Sequence, residues 1–202
     1  MDHLSIYEDT IRRFAEFDGV PASCRGDEIA RRMGVIAEQL LIDNEKFNLT
    51  AITDPEEIFY KHILDSVLCA DVIPAGEDVT LLDVGSGAGF PSLPIAACRP
   101  NVRVTAMDAT AKKCMHMNDT AAAAQISNFA AVSGRAEEFS RTKLYREQFD
   151  FVTARAVARL PILAELCLPF VKVGGYVLAM KGTAAMEELE EAKKAIKTLG
   201  LK

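Results

Sequence analysis

Apolar side chains at Leu4, Ile6, Tyr7, Ile11, Phe14, Ala15 and Phe17 recur on a 3.6-residue period, the pattern of an amphipathic helix that Gly19 and Pro21 bring to an end. A second helix over about 26–46 follows from the stripe Ile29, Met33, Ile36, Ala37, Leu40 and Leu41, which leaves Arg31, Arg32, Glu38 and Asp43 for solvent. Asp54 followed by Pro55 is a cap and first-turn pair, and it predicts a third helix running to about residue 72. From residue 79 the texture changes. Short β-rich runs at 79–84, 102–107, 129–132, 149–154 and 174–180 alternate with helix-length segments at 90–98, 110–125, 136–144, 159–170 and 184–199. Such alternation predicts an α/β fold, a doubly wound and mostly parallel sheet with helices on both faces. The expected division is an N-terminal helical extension, residues 1–74, packing on a sheet domain, residues 75–202. An antiparallel hairpin often closes such sheets, so the expectation is either a short sheet or C-terminal strands missing from this chain.

Composition narrows the class. With 202 residues, 50% of them hydrophobic and 26% charged, the chain has enough apolar content for one ordinary core and is neither collagen-like nor disordered. No apolar run reaches the roughly 18 residues of a membrane span. The opening MDHLSIYEDTIRRF is acidic and amphipathic, unlike a signal peptide. A cytoplasmic monomer without a membrane partner is the expectation. Cys24, Cys69, Cys98, Cys114 and Cys167 are odd in number and widely spaced, which predicts buried free thiols. His3, His62 and His116 have no metal-ligand spacing, so no metal site is expected. In KHILDS, His62 sits one helical turn from Phe59 and Ser66 and reads as a buried, hydrogen-bonded histidine.

The net charge of −6 taken alone argues against a nucleic-acid partner. Its uneven distribution leaves the question open. Residues 1–80 carry seven basic and 17 acidic side chains, whereas residues 81–182 carry 12 and eight. A basic face on the second block is therefore compatible with an acidic whole.

The strongest local signal is LDVGSGAGFP, residues 82–91, at a predicted strand-to-helix junction. Gly85, Gly87 and Gly89 permit a tight turn and a close approach of backbone to ligand, although such a turn also occurs with nothing bound. The spacing is G-x-G-x-G with Asp83 ahead of it and Phe90 behind, not the G-x-G-x-x-G of dinucleotide sites. A carboxylate beside the loop suits a ligand with a cationic amino-acid end better than a pyrophosphate. S-adenosyl-L-methionine is such a ligand. Asp108 ends the next strand, at the separation where an acid meets a ribose, and a helix cap near Thr110 is its alternative role.

Beyond the loop, the blocks FNLTAITDPEEIFYKHILDS (47–66), MDA (107–109) with Lys112 and Lys113, GRAEEF (134–139), FDFVTARAVARL (149–160) and CLPFVKVGGYVLAMKG (167–182) occur in this order. The chain thereby resembles the bacterial small-subunit (16S) ribosomal RNA guanine-N7 methyltransferases, the RsmG or glucose-inhibited division protein B family, over about residues 35–200. The resemblance implies a Rossmann-like S-adenosylmethionine-dependent methyltransferase fold, with 16S rRNA or the small ribosomal subunit as partner. It implies that Gly85 and Phe90 line the cofactor, with Gly87 and Gly89 in the same loop. It also places Ala136 and Glu137 by the adenine, Asp108 at the ribose, and Arg155 at the rim between cofactor and base.

The residues themselves are compatible with that chemistry. Guanine N7 has an in-plane lone pair and no proton to remove, so methyl transfer needs an in-line approach and no general base. TARAVA also differs from the [DN]-P-P-[FYW] block of enzymes that methylate exocyclic amines. Arg155 is a candidate bidentate donor to guanine O6 or phosphate, or a strand-end salt bridge. Lys181 ends the last strand at the ligand-binding edge and is expected, with Arg155, to position the base; Lys112, Lys113, Arg135 and Arg159 follow other strand ends. A nicotinamide-linked dehydrogenase, a small-molecule methyltransferase and a non-catalytic nucleotide-binding protein are the competing readings.

Overall fold

The computed structural model describes residues 3–74 and 78–200. Strand β1, Val79–Val84, is buried at nearly every position, as a run such as VTLLDV must be when a sheet is covered on both faces. It is central: β2 (Val102–Asp108) pairs with one side and β4 (Phe149–Arg155) with the other, and β3 (Phe129–Ser133) and β5 (Val171–Met180) form the edges. The order is β3-β2-β1-β4-β5, and every pairing is parallel. Because the winding reverses between β1 and β4, the crevice at their carboxyl ends is where a ligand fits in such a sheet.

The N-terminal helices are α1 (His3–Glu16), α2 (Asp27–Phe47), α3 (Pro55–Ile58) and α4 (Asp65–Asp71). Asp27 and Glu28 open α2 where its dipole favours anions, and Asn48, in the left-handed region at φ 50°, closes it. Asp54 caps α3 by accepting the Glu57 N–H at 3.0 Å, as expected. Between α3 and α4 the predicted single helix widens into a π turn over Phe59–Leu64, a distortion that recurs at functional sites.

These helices have no core of their own. Phe14, Met33, Leu40 and Ile63 belong to the same buried cluster as Leu81, Leu93, Val104 and Met117. A second cluster, with Leu82, Val152, Leu163 and Phe170, fills the opposite face of the sheet. The extension shares one continuous apolar layer with the rest of the chain, its helices meeting those at 92–98 and 111–123, and the expected 74/75 boundary adjoins residues 75–77, outside the described residues.

The remaining helices are α5 (Ser92–Cys98), α6 (Ala111–Ala123), α7 (Ala136–Phe139), α8 (Leu160–Cys167) and α9 (Ala185–Thr198). The segment expected to be helical over 136–144 stops at Phe139. Ser140 and Thr142 donate their hydroxyls to the Glu137 and Phe139 carbonyls and divert the chain into turns. Strand β5 starts earlier than predicted, at Val171, and its register jumps from Phe149↔Val171 to Phe151↔Tyr176. Gly175 allows that bulge, since a Cβ there would lie 2.7 Å from the Asp150 carbonyl oxygen. All five cysteines are buried and free. Among the described residues no helix is long and apolar enough to cross a membrane.

Candidate functional site

The glycine turn leaves β1 with Gly85, Gly87 and Gly89 all at positive φ. The Gly85 and Ser86 N–H groups donate to the Met107 carbonyl at 2.8 and 3.0 Å, and the Gly89 N–H donates to the Ser86 carbonyl. The Gly87 N–H donates to Asp108 Oδ2 at 3.0 Å. Asp108 also accepts the Thr110 N–H through Oδ1 at 2.8 Å, and Lys113 Nζ stands 3.8 Å from Oδ2. The two sequence readings of Asp108 therefore meet in one side chain, which turns the chain into α6 and braces the loop. Gly87 alone of the three leaves open space where a side chain would be: the nearest atom to a Cβ there, the Gly85 carbonyl oxygen, is 4.0 Å away.

Asp83, expected beside a cationic ligand group, is completely buried beneath the loop. Thr153 donates its hydroxyl to Asp83 Oδ1 at 2.9 Å, while Oδ2 and the nearby buried Ser92 Oγ have no hydrogen-bond partner. Burial pushes the Asp83 pKa above the ordinary carboxylate value, against the pull of its hydroxyl neighbours. An acceptor of this kind, unpaired under the loop, is suited to a cationic donor.

A second group of side chains comes from distant parts of the chain. The Phe90 ring is 3% exposed and stacks on the His62 imidazole, with centroids 4.7 Å apart and planes at 17°. It therefore supports His62 instead of offering a free face. Arg155 lies over the same ring, its Cζ 5.7 Å from the centroid. Its Nη1 donates to the Lys61 carbonyl at 2.7 Å and contacts Asp65 at 3.4 Å, and its Nη2 is 3.1 Å from His62 Nδ1. Ala156 follows in the left-handed region, at φ 56°, a conformation that costs a non-glycine residue about 1–2 kcal/mol. It turns Val157 over Gly85, where a Cβ would come within 2.7 Å of Val157 Cγ2. Arg155 and Val157 line an open groove of about 1020 Å³, whose other walls include Asp65, Leu68, Cys69 and Lys181. Burial drives the Cys69 thiol up to about 12, with the Asp83 and Asp65 carboxylates adding to it.

Lys181 reaches this groove but is committed elsewhere: Nζ donates to the Ala158 carbonyl at 2.5 Å and pairs with Glu188 at 2.7 Å. Arg159 is paired with Glu187 and Glu191 of α9. Lys112 lies over the Phe47 ring. Ala136, half-buried, and Glu137, exposed, form the first turn of α7. That turn is tied to the Asp108 strand end by the Gly134 N–H, which donates to the Asp108 carbonyl at 3.0 Å.

A glycine turn at the switch point of an all-parallel β3-β2-β1-β4-β5 sheet, with an acid ending β2, defines the Rossmann-like S-adenosylmethionine-dependent methyltransferase class. Solved structures of similar fold include a SAM-dependent methyltransferase from Aquifex aeolicus, with a TM-score of 0.55 and 16% identity over 76% of this chain and 86% of that one. A precorrin-6y C5,15-methyltransferase from Geobacter metallireducens has a TM-score of 0.53 and 17% identity over 80% of this chain and 81% of that one.

The family model described as GidB, rRNA small subunit methyltransferase G, matches residues 30–202, and the chain belongs to that family. A ribosomal RNA small subunit methyltransferase G from Lysinibacillus sphaericus is 49% identical over 165 residues, covering 81% of this chain and 69% of that protein. One from Bacillus cereus is 45% identical over 185 residues, covering 92% and 76%.

Proposed function

We propose that this chain transfers the methyl group of S-adenosyl-L-methionine to N7 of a guanine in 16S ribosomal RNA. The observation that carries the reading is the position of Arg155, which lines the groove beside the glycine turn and retains unpaired donors. Its Nε–H and second Nη2–H have no protein partner among the described residues. Together they form a planar fork of the kind that takes a guanine edge or a phosphate.

The cofactor fits the residues present. Asp83 Oδ2, unpaired beneath the loop, favours a cationic group near it, Gly87 leaves room for the body of the ligand, and Asp108, which braces the loop, is the acid proposed for the ribose. Ala136 and Glu137, in the first turn of α7, are the residues proposed beside the adenine. When bound, the cofactor supplies an electrophilic methyl group on a sulfonium. The chain then has to orient the base and exclude competing nucleophiles. His62 is neutral and has both ring nitrogens engaged, and the Cys69 thiol is held protonated. A target nitrogen with its own lone pair suits a groove whose thiol is protonated and whose Arg155 is backed by a neutral, engaged histidine. The thiol's state disfavours attack through a cysteine adduct.

The test is incubation with radiolabelled S-adenosylmethionine and small ribosomal subunits from cells lacking this activity, followed by cleavage at N7-methylated guanines. One labelled guanine, its labelling rate sharply reduced but measurable with Arg155→Ala, supports the reading. Label at another atom, or none despite cofactor binding, overturns it. Light scattering on the purified chain tests the monomer.

A further inference from the structure

The family reading assigns no role to His62, yet its environment is built around one hydrogen. Arginine is only a donor, so the 3.1 Å contact from Arg155 Nη2 requires a lone pair on His62 Nδ1. The ring proton of the neutral imidazole is then on Nε2, and it donates to Thr50 Oγ1 at 3.0 Å. Thr50 is fixed in turn: its N–H donates to Asn44 Oδ1 at 2.9 Å, and its hydroxyl oxygen accepts the Ile52 N–H at 3.1 Å. The ring plane is set by the stack on Phe90, and Ser66 Oγ donates to the His62 carbonyl within the π turn. With the tautomer that the Arg155 contact requires, the ring plane and the backbone are each held by a separate contact, and Nδ1 is an acceptor facing Arg155.

We propose that His62 is a positioning residue for Arg155. Its Nδ1 takes one Nη2 hydrogen, the Lys61 carbonyl takes an Nη1 hydrogen, and the guanidinium is held with its Nε–H and remaining Nη2–H directed to the groove. The N-terminal extension thereby supplies part of the acceptor site through Thr50, Lys61 and His62. A specificity follows, because a guanidinium locked in one plane discriminates a bidentate base edge from a single oxygen.

This inference rests on the reading that Arg155 engages the RNA. A double-mutant cycle on the full chain separates the two. His62→Phe keeps ring, volume and stack but has no acceptor; His62→Asn retains an oxygen near the Nδ1 position; Thr50→Val frees the tautomer. His62→Phe is expected to lower kcat for subunit methylation about tenfold or more, with S-adenosylmethionine affinity and thermal midpoint little changed. His62→Asn is expected to recover much of that loss, and Thr50→Val to show a smaller loss. In an Arg155→Ala background, His62→Phe is expected to have no further effect. Additive losses, or a His62→Phe protein with full kcat, overturn the positioning role. If Arg155→Ala itself methylates normally, the reading beneath the proposal fails instead. If His62→Phe does not fold, Thr50→Val and His62→Asn carry the same cycle.

Discussion

Asp108 Oδ2 accepts the Gly87 N–H at 3.0 Å, so the acid ending one strand fixes the middle of the loop leaving its neighbour. Asp108→Ala removes the acceptor for both Gly87 and Thr110, and a stability loss of about 1–3 kcal/mol is expected in urea titration. Cofactor affinity should fall as well, for either of two reasons: a loosened loop or a lost ribose contact. Calorimetry with S-adenosylmethionine and its 2′-deoxyribose analogue distinguishes them. A direct contact predicts that the wild-type preference for the hydroxylated ligand disappears in Asp108→Ala. An unchanged preference with uniformly weaker binding assigns Asp108 to the loop alone.

Two of the loop glycines should separate fold from ligand. A methyl at Gly89 collides with Leu93 Cδ1 at 2.4 Å, whereas one at Gly87 meets nothing nearer than 4.0 Å. Both sit at positive φ, so each alanine carries a backbone cost of about 1–2 kcal/mol. Gly89→Ala adds the collision and should lose markedly more. Gly87→Ala should stay folded, with a modestly lower midpoint, while its cofactor affinity drops. Tight binding by Gly87→Ala would show that the ligand does not pass over this position.

Much of this arrangement is legible in the sequence because its determinants are local. The run VTLLDV marks a strand covered on both faces, Asp54-Pro55 marks a helix start, and glycines at alternate positions mark the turn. What stays hidden depends on distant partners. His62 and Arg155 lie far apart in the sequence, and no periodicity connects them. FYKHIL has ordinary helical spacing, so the π turn is not visible in it, although the bulky run beside KHILDS holds the residues that it presents. The reading of His62 as buried and hydrogen-bonded is correct, but the identity of the partner is what gives it chemical interest. Lys181 is hidden in the opposite way: the strand end predicts its location, while its pairing with Glu188, one turn into α9, is invisible in the sequence. Asp83 similarly lies near the expected ligand end but beneath the loop.

Asn128 is a further hidden tie, remote from the site. Its two Nδ2 hydrogens are shared among the carbonyls of Ala96, Arg99 and Val102 at 3.1, 3.0 and 2.8 Å, fastening the end of α5 to the start of β2. Asn128→Ala leaves those acceptors without this donor, and a loss of about 1–3 kcal/mol is expected. Asn128→Asp should be worse, since it places an anion among carbonyl oxygens. Urea midpoints give both values. Cofactor affinity below the transition should be unchanged, because Asn128 contacts neither the loop nor Arg155.

Acid should act on the fold through His62. Burial, reinforced by the Arg155 guanidinium, lowers its pKa from 6.5 to about 4. Between those values the unfolded chain binds a proton that the folded chain refuses, so stability falls as pH drops through the window and levels off below it. The loss from pH 7 to 4.5 attributable to this residue is about 2 kcal/mol. Depressed carboxylates such as Asp43, where the His116 and Lys46 contacts overcome desolvation, act in the same direction at lower pH. The wild-type slope alone is therefore ambiguous. The difference between wild type and His62→Phe isolates the histidine, because the phenylalanine protein lacks that proton in both states while retaining Asp43. Urea titrations at pH 7 and 4.5 should show the wild type losing about 2 kcal/mol more than His62→Phe. Equal losses in the two proteins would mean that the imidazole titrates alike in the folded and unfolded chains, and that the Arg155 contact does not hold it neutral.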